Sequence, residues 1–286
     1  MLSKYNSQVL SLDDALSMLN LGTLPSNSAV ITIDDGFYNV LSVAQKILEP
    51  YRYPATLYLT TYYVENNNPI FRLVVQYMFW KTKMQTVDLT DCSWANDTEI
   101  DISNNKTSNR VIWDCINYGE KKCSENERTH ICRQLGVLLG VSYNSICKDR
   151  ILSLLSAEDA KILSHKNCNI QLHTHRHRLP IDNKAETQKE IIDNRIALEK
   201  IVPYPTMHFC YPSGIWDKAQ WPWLEQVGVK SATTCLPGLN SNETSVFGLT
   251  RFLDGENISN IEFKAELFGF SELLRNIRSA ILASVK

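Results

Sequence analysis

The stretch Val30-Ile31-Thr32-Ile33-Asp34-Asp35-Gly36 constrains the fold of this chain more than any other. Val30, Ile31 and Ile33 are β-branched and apolar, as a short strand covered on both faces requires. Two consecutive carboxylates cannot be buried in such a strand without a cation or donors to hold them, so the acids belong at its carboxyl end. That end is where α/β enzymes carry their chemistry, and Gly36 lets the chain turn sharply just after it. A second stretch answers the first: Ile170-Gln171-Leu172 is again apolar in outline and runs into His173-Thr174-His175-Arg176-His177. One carboxylate and two imidazoles, with a position left open for water, suit a hard or borderline metal.

The periodicity around these stretches predicts a parallel sheet covered by helices. Ser11 and Asp14 form a capping-box pattern before the apolar stripe Ala15, Leu16, Leu19, and Gly22 stops that helix. Helical spacing over 40–48 and a strand at 54–59 complete a β-α-β unit. From about residue 62 to 149 the texture changes: an aromatic-rich helix over 70–81, a polar run to Asn109, and a helix over 125–139 capped by Ser124 predict an inserted, mainly helical subdomain. The β-α rhythm then resumes. Ser156 to Asp159 opens a helix, the strand at Ile170 follows, and 184–201 is an amphipathic helix with Ile191, Ile192, Ala197, Leu198 and Ile201 on its buried side. Further strands are expected at 207–211, 229–233 and 248–253, with a helix over 218–227 between the first two. The last helix, 271–283, carries Leu273, Leu274, Ile277 and Ile281 on one face, which is expected to cover the barrel.

Adjacent residues project in different directions, so of Asp34 and Asp35 one can bind metal while the other faces a substrate. His173 and His177 are four apart, which on a helical turn or tight loop brings both imidazoles to one side. His175 has the wrong spacing for the same cation, and His130, His165 and His208 are expected to be structural.

Thr32-Ile33-Asp34-Asp35-Gly36 resembles the T-F-D-D-G signature of the polysaccharide deacetylases with the NodB homology domain, carbohydrate esterase family 4, with Ile33 in place of Phe. His173-Thr174-His175-Arg176-His177 is similar to that family's H-[ST]-x-x-H, and Phe209-Cys210-Tyr211-Pro212-Ser213-Gly214 to its F-A-Y-P-Y-G. Pro54-Ala55-Thr56-Leu57-Tyr58 resembles its P-A-T-F-F strand. The resemblance implies an α/β fold, a distorted (β/α) barrel of the polysaccharide deacetylase type, here a single catalytic domain over 1–286 with the helical insertion at about 62–149. It implies hydrolytic removal of an acetyl group from an N-acetylhexosamine in a polysaccharide or glycolipid precursor. By position, Asp35, His173 and His177 would hold a divalent metal, usually Zn2+, Asp34 would be the general base, and a backbone N–H near Ser213 would face the oxyanion.

Two departures stand out. Cys210 occupies the place of an Arg that orients the base in many members, and Arg251 in Leu249-Thr250-Arg251, which resembles the family's L-P-R, is expected to approach the base instead. The late Leu-x-His whose histidine protonates the leaving amine is absent, since no histidine follows His208. A catalytically impaired sugar-binding or scaffold protein that keeps the metal site is the rival to an active enzyme. Trp216, Trp221 and Trp223 suit either sugar stacking or helix packing.

Composition narrows the partners. A net charge of -2 and a pI near 6.3 give no footprint for nucleic acid. No apolar run reaches the length of a membrane span, and Met1 to Tyr5 lacks the pattern of a signal peptide, so the expected setting is cytoplasmic. None of the eight cysteines lies in a Cys-x-x-Cys pair, and free thiols are expected. The expected partner is an acetylated carbohydrate.

Overall fold

The acid pair ends the second strand of a parallel sheet. The computed structural model describes residues 1–66 and 68–284, and the chain divides into two units with separate cores. The first unit comprises Met1–Gly36, Val40–Tyr62 and the chain from Ala157 onward; the second comprises Phe37–Asn39 and Tyr63–Ser156.

In chain order, β1 (Gln8–Leu10) leads into α1 (Leu12–Asn20). Ser11 caps α1 by accepting the Asp14 amide at 3.1 Å, and the chain leaves the helix through Gly22 at φ 67°, a conformation that costs glycine little. β2 (Ser28–Ile33) follows, then a π-helical turn over Val40–Ala44 running into α2 (Gln45–Leu48), and β3 (Ala55–Leu59), all of whose residues are buried.

The next elements are α3 (Tyr62–Asn66), α4 (Phe71–Lys81), an antiparallel hairpin of β4 (Thr86–Asp88) and β5 (Glu99–Asp101), α5 (Asn105–Lys122), α6 (Glu125–Leu138) and α7 (Tyr143–Lys148). Val74, Val75 and Met78 of α4 meet Cys115 and Ile116 of α5 and Leu135 of α6 in the core of the second unit. Ser124 caps α6 through a full capping box with Glu127. Helix α5 starts inside the polar run that extends to Asn109. Asn104 caps it by accepting the Lys106 and Thr107 amides, but its first buried apolar residue is Val111, so the sequence shows no apolar period in the opening turn.

The first unit resumes with α8 (Ala157–Ser164), β6 (Cys168–Leu172), α9 (Lys184–Glu199), β7 (His208–Cys210), α10 (Trp221–Gln226), β8 (Ser231–Thr233), α11 (Asn260–Leu267) and α12 (Phe270–Ser284). Strands β1-β2-β3-β6-β7-β8 form one sheet, parallel at every pairing. The sheet curls into a half-barrel with helices, a distorted (β/α) barrel. Its middle is dry: Leu57, Tyr58, Leu59, Ile170, Leu172, Phe209 and Ala232 are fully buried. Because β2, β3, β6 and β7 are neighbours and point the same way, the segments that follow them share one rim.

Three expectations fail. No strand forms over 248–253: Leu249 makes a single parallel bridge to Thr233, and the Thr250 amide turns away to Asn240 Oδ1 at 2.9 Å, which ends the ladder. Ile192 is 41% exposed, and α9 buries Thr187, Glu190 and Asn194 beside Ile191, Ala197 and Leu198. The apolar face of α12 does not enter the core: Leu273, Leu274, Ile277 and Ile281 are each about half exposed. Helix α12 is held to α11 by Arg275, which grips Glu266 with two bonds of 2.8 Å. Among the described residues no helix is long and apolar enough to cross a membrane, and all eight cysteines are free thiols, five of them buried.

Candidate metal centre

Asp35 stands in the left-handed region at φ 66°, and the Gly36 amide reaches back over it to the Asp34 carbonyl at 2.7 Å. A non-glycine residue is held there only when its surroundings over-determine it, a cost of order 1–3 kcal/mol. The tight turn separates the two carboxylates. Asp35 Oδ1 lies 3.1 Å from His173 Nε2 and 3.0 Å from His177 Nε2, and the two imidazole centroids are 5.0 Å apart. His173 is buried, while Asp35 and His177 are one-third exposed.

The protonation pattern tests whether this trio fits a cation. His173 Nδ1 is 2.8 Å from the Cys210 carbonyl, which only accepts, so Nδ1 carries the hydrogen. A neutral His173 then turns a lone pair toward the Asp35 carboxylate, an arrangement that repels unless a proton or a cation lies between them. Two imidazole nitrogens and one carboxylate oxygen are the donor set of an open zinc-type site. Burial alone would raise the Asp35 pKa. Protonated rings at His173 and His177, in place of a cation, would overcome it through hydrogen bonds and charge and hold the carboxyl well below the usual carboxylate range.

Asp34, His173 and Cys210 also come together. That set suits a cation poorly. Burial, then the Asp34 charge, pushes the Cys210 thiol well up, and the Arg251 guanidinium lies 3.2 Å from Cys210 Sγ.

Arg251 takes the other carboxylate. Its Nη1 and Nη2 donate to Asp34 Oδ1 and Oδ2 at 2.8 and 2.5 Å, Nη1 donates to Thr32 Oγ1 at 3.2 Å, and Nε to the Thr234 carbonyl at 2.8 Å. Burial would lower the Arg251 pKa, but the bond to Asp34 outweighs it and raises it, so the guanidinium is a permanent cation. Ser213 is exposed at φ 56° within the turn Pro212–Gly214 that follows β7. Asp254 and Glu256 lie in an exposed turn.

The remaining side chains divide between loop support and packing. His175 is buried with Nδ1 on Thr61 Oγ1 at 2.8 Å. His208 lies between Ser231 Oγ at 2.8 Å and Asp13 Oδ1 at 2.9 Å. Trp216 stacks with Tyr211 at 5.6 Å and with Trp221 at 5.9 Å, and Trp221 continues to Phe247, so these rings form a packed ladder beside β7.

Residues 143–232 match the family described as polysaccharide deacetylase. Comparison of the whole sequence with characterised proteins gives no match. Among solved structures the chain is similar to the Streptococcus pyogenes deacetylase PplD in complex with acetate, at 16% identity and TM-score 0.55, covering 90% of this chain and 78% of that one. It is also similar to a de-N-acetylase from Aggregatibacter actinomycetemcomitans (12% identity, TM-score 0.57, 93% and 85% covered). The structure of IcaB from Ammonifex degensii gives 13% identity and TM-score 0.56, with 93% and 84% covered. The chain has the polysaccharide deacetylase fold.

Within that polysaccharide deacetylase fold, the supports that sequence reasoning missed lie on α9. Asn194 and Glu190 are four apart and buried, at 0% and 3% exposure. Glu190 accepts from the Arg176 amide at 2.8 Å, Arg176 Nη1 at 2.9 Å and Arg178 Nε at 3.3 Å. The signal was present in the sequence as polar residues interleaved with the buried positions Ile191, Ala197 and Leu198 at helical spacing.

Proposed function

We propose that this protein is a metal-dependent carbohydrate N-deacetylase that removes the acetyl group from an N-acetylhexosamine in a polysaccharide or a glycolipid precursor. The observation that carries the proposal is the pair of adjacent carboxylates in different settings: Asp35 against two imidazoles, Asp34 against Arg251. A binding protein has no need of the second arrangement, whereas a hydrolase needs a base held apart from its metal ligands.

Asp35, His173 and His177 would hold the divalent ion, and the mixed nitrogen and oxygen donors favour Zn2+. Such an ion supplies Lewis-acid polarisation of the amide carbonyl and activates water. Asp34, oriented by Arg251, takes the proton of the attacking water. The Ser213 backbone N–H donates to the developing oxyanion, an interaction stronger in the transition state than in the ground state. The segment at about 62–149 stands in this proposal as an insertion within one catalytic domain.

The absence of a histidine after His208 favours one rival, a sugar-binding protein that keeps the metal site and lacks turnover. Metal content and acetate release, measured on the purified chain beside Asp35→Ala and His173→Ala, separate the two. Near-stoichiometric zinc with acetate released from acetylated sugars, both lost in the variants, is the expected result. Zinc without acetate release identifies the rival, and no metal uptake even in excess overturns both.

A further inference from the structure

We infer that Asn194 is a positioning residue for the metal centre: its side chain sets His173 by joining the ends of β3 and β6 through α9. The inference rests on the proposed metal site of Asp35, His173 and His177.

The segment that carries the histidines is not intrinsically stable in its observed shape. Thr174 and His177 both lie in the left-handed region, at φ 63° and 53°. Neither is glycine, and each such residue costs of order 1 kcal/mol or more unless its neighbours hold it. What holds the start of the segment is Asn194. Its Oδ1 accepts the His173 backbone N–H at 2.9 Å, and its Nδ2 donates to the Leu59 carbonyl at 3.0 Å and to Thr61 Oγ1 at 3.0 Å.

These partners allow one amide orientation. The His173 N–H can only donate and the Leu59 carbonyl can only accept, so Oδ1 must face the first and Nδ2 the second. The amide is fully buried, where an unmade bond costs about 1–3 kcal/mol, so rotation away from this arrangement is penalised at both ends. Asp lacks the donors and Leu lacks both functions.

The bonds continue through both strands. Thr61 Oγ1 reaches His175 Nδ1 at 2.8 Å, the His175 carbonyl accepts from Thr60 Oγ1 at 3.0 Å and from the Tyr62 amide at 2.8 Å, and the His175 amide donates to the Glu190 carbonyl at 3.0 Å. His173 is thus fixed at its backbone by Asn194 and at its ring by the Cys210 carbonyl. With the ring hydrogen-bonded at Nδ1, the placement of Nε2 follows the backbone, and the backbone follows Asn194. Outer partners of metal-binding histidines typically change affinity by about 10–100-fold when removed.

The test reads zinc affinity, by competition with a chromophoric chelator on the full chain, together with thermal melting of the metal-free protein. Asn194→Ala is expected to weaken zinc binding by about 10–100-fold. Ile191→Ala, from the apolar side of the same helix, is expected to lower the melting temperature while leaving the affinity of the folded protein unchanged. Thr61→Val removes one acceptor of the amide without altering α9, and is expected to weaken zinc binding in the same direction. It answers the question if Asn194→Ala does not fold. A parent chain that binds zinc, with folded Asn194→Ala or Thr61→Val binding it equally well, overturns the inference alone. Equal weakening by Ile191→Ala also overturns it, because helix stability would then explain the effect. A parent chain that binds no zinc overturns the metal-site proposal instead.

Discussion

Arg251 closes on Asp34 through two parallel hydrogen bonds across 217 residues of chain, a residue two beyond the Leu249 bridge to β8 meeting the residue after β2. The fork geometry fixes the plane of the carboxylate, which a lysine or a single donor cannot do. In the proposed reaction Arg251 acts only through Asp34. Arg251→Met is therefore expected to lower the rate of acetate release by about 10²-fold, the order of loss that follows misplacement of a reacting group. Its zinc content is expected to match the parent's, because Arg251 touches none of the three ligand atoms. An unchanged rate would remove Arg251 from the proposal.

Glu190 supports the histidine segment from below. Its two arginine partners are 36% and 65% exposed in their side chains, so water can replace the carboxylate for both. The Arg176 backbone N–H is part-buried and donates to Glu190 Oε2 at 2.8 Å, so it is the partner that loses most when the carboxylate is removed. Glu190→Ala is accordingly expected to destabilise the metal-free protein by about 1–3 kcal/mol, the cost of stranding a buried donor. Glu190→Gln keeps an acceptor and is expected to lose less. Urea denaturation measures both, and equal stability of Glu190→Ala and the parent would show that the amide finds another partner.

The rim of the sheet was legible because strands that end in carboxylates or imidazoles admit one arrangement: apolar residues inside, polar residues past the carboxyl end. His173 and His177 needed only that logic, whereas the choice of Asp35 over Asp34 beside them came from the resemblance. Arg251 was reached through a short resemblance, since nothing in Leu249-Thr250-Arg251 reveals a partner so remote in sequence. Asn194 and Glu190 were overlooked because a helix with polar residues reads as solvated: their spacing was visible, but only the packing of α9 on β6 shows which face they occupy. The strand expected near Leu249 failed because β propensity carries no information about Asn240 capturing the Thr250 amide. The apolar face of α12 read as covered by the same kind of periodicity that marked Ala15 and Leu16 of α1, which do pack inward. Periodicity gives a face but no neighbour to bury it.

Helix α12 is tied to α11 by the Arg275–Glu266 ion pair, which gives a pH signature. The bonds from Arg275, opposed by burial, lower the Glu266 pKa below its ordinary value. A carboxylate with a lowered folded pKa stabilises above its unfolded value, about 4.3, and that contribution is lost as pH falls through the folded value. Glu266→Gln is expected to reduce amide-exchange protection in residues 270–278 at pH 7. The gap from the parent is expected to narrow as pH drops below about 4. A gap that stays constant down to pH 3 would show that the effect of Glu266 is not electrostatic.

In the second unit α4 and α5 approach each other closely at Gly119. A Cβ added to Gly119 would lie 2.4 Å from Phe71 Cε1 and Cζ, and the ring is 3% exposed, so it has no open direction in which to retreat. Two effects compete in Gly119→Ala. Helix propensity favours alanine by about 1 kcal/mol, whereas overpacking a filled core typically costs about 1–3 kcal/mol. Overlap with a buried aromatic ring belongs at the upper end of that range, so the substitution is expected to destabilise the protein overall. Phe71→Leu separates the terms: it loses packing by itself, but it removes the ring atoms that the new methyl meets. In the Phe71→Leu background Gly119→Ala is expected to become neutral or stabilising, because only the propensity gain remains. A double-mutant cycle by urea denaturation measures this coupling. If Gly119→Ala costs the same in both backgrounds, the ring is not what excludes a side chain at residue 119.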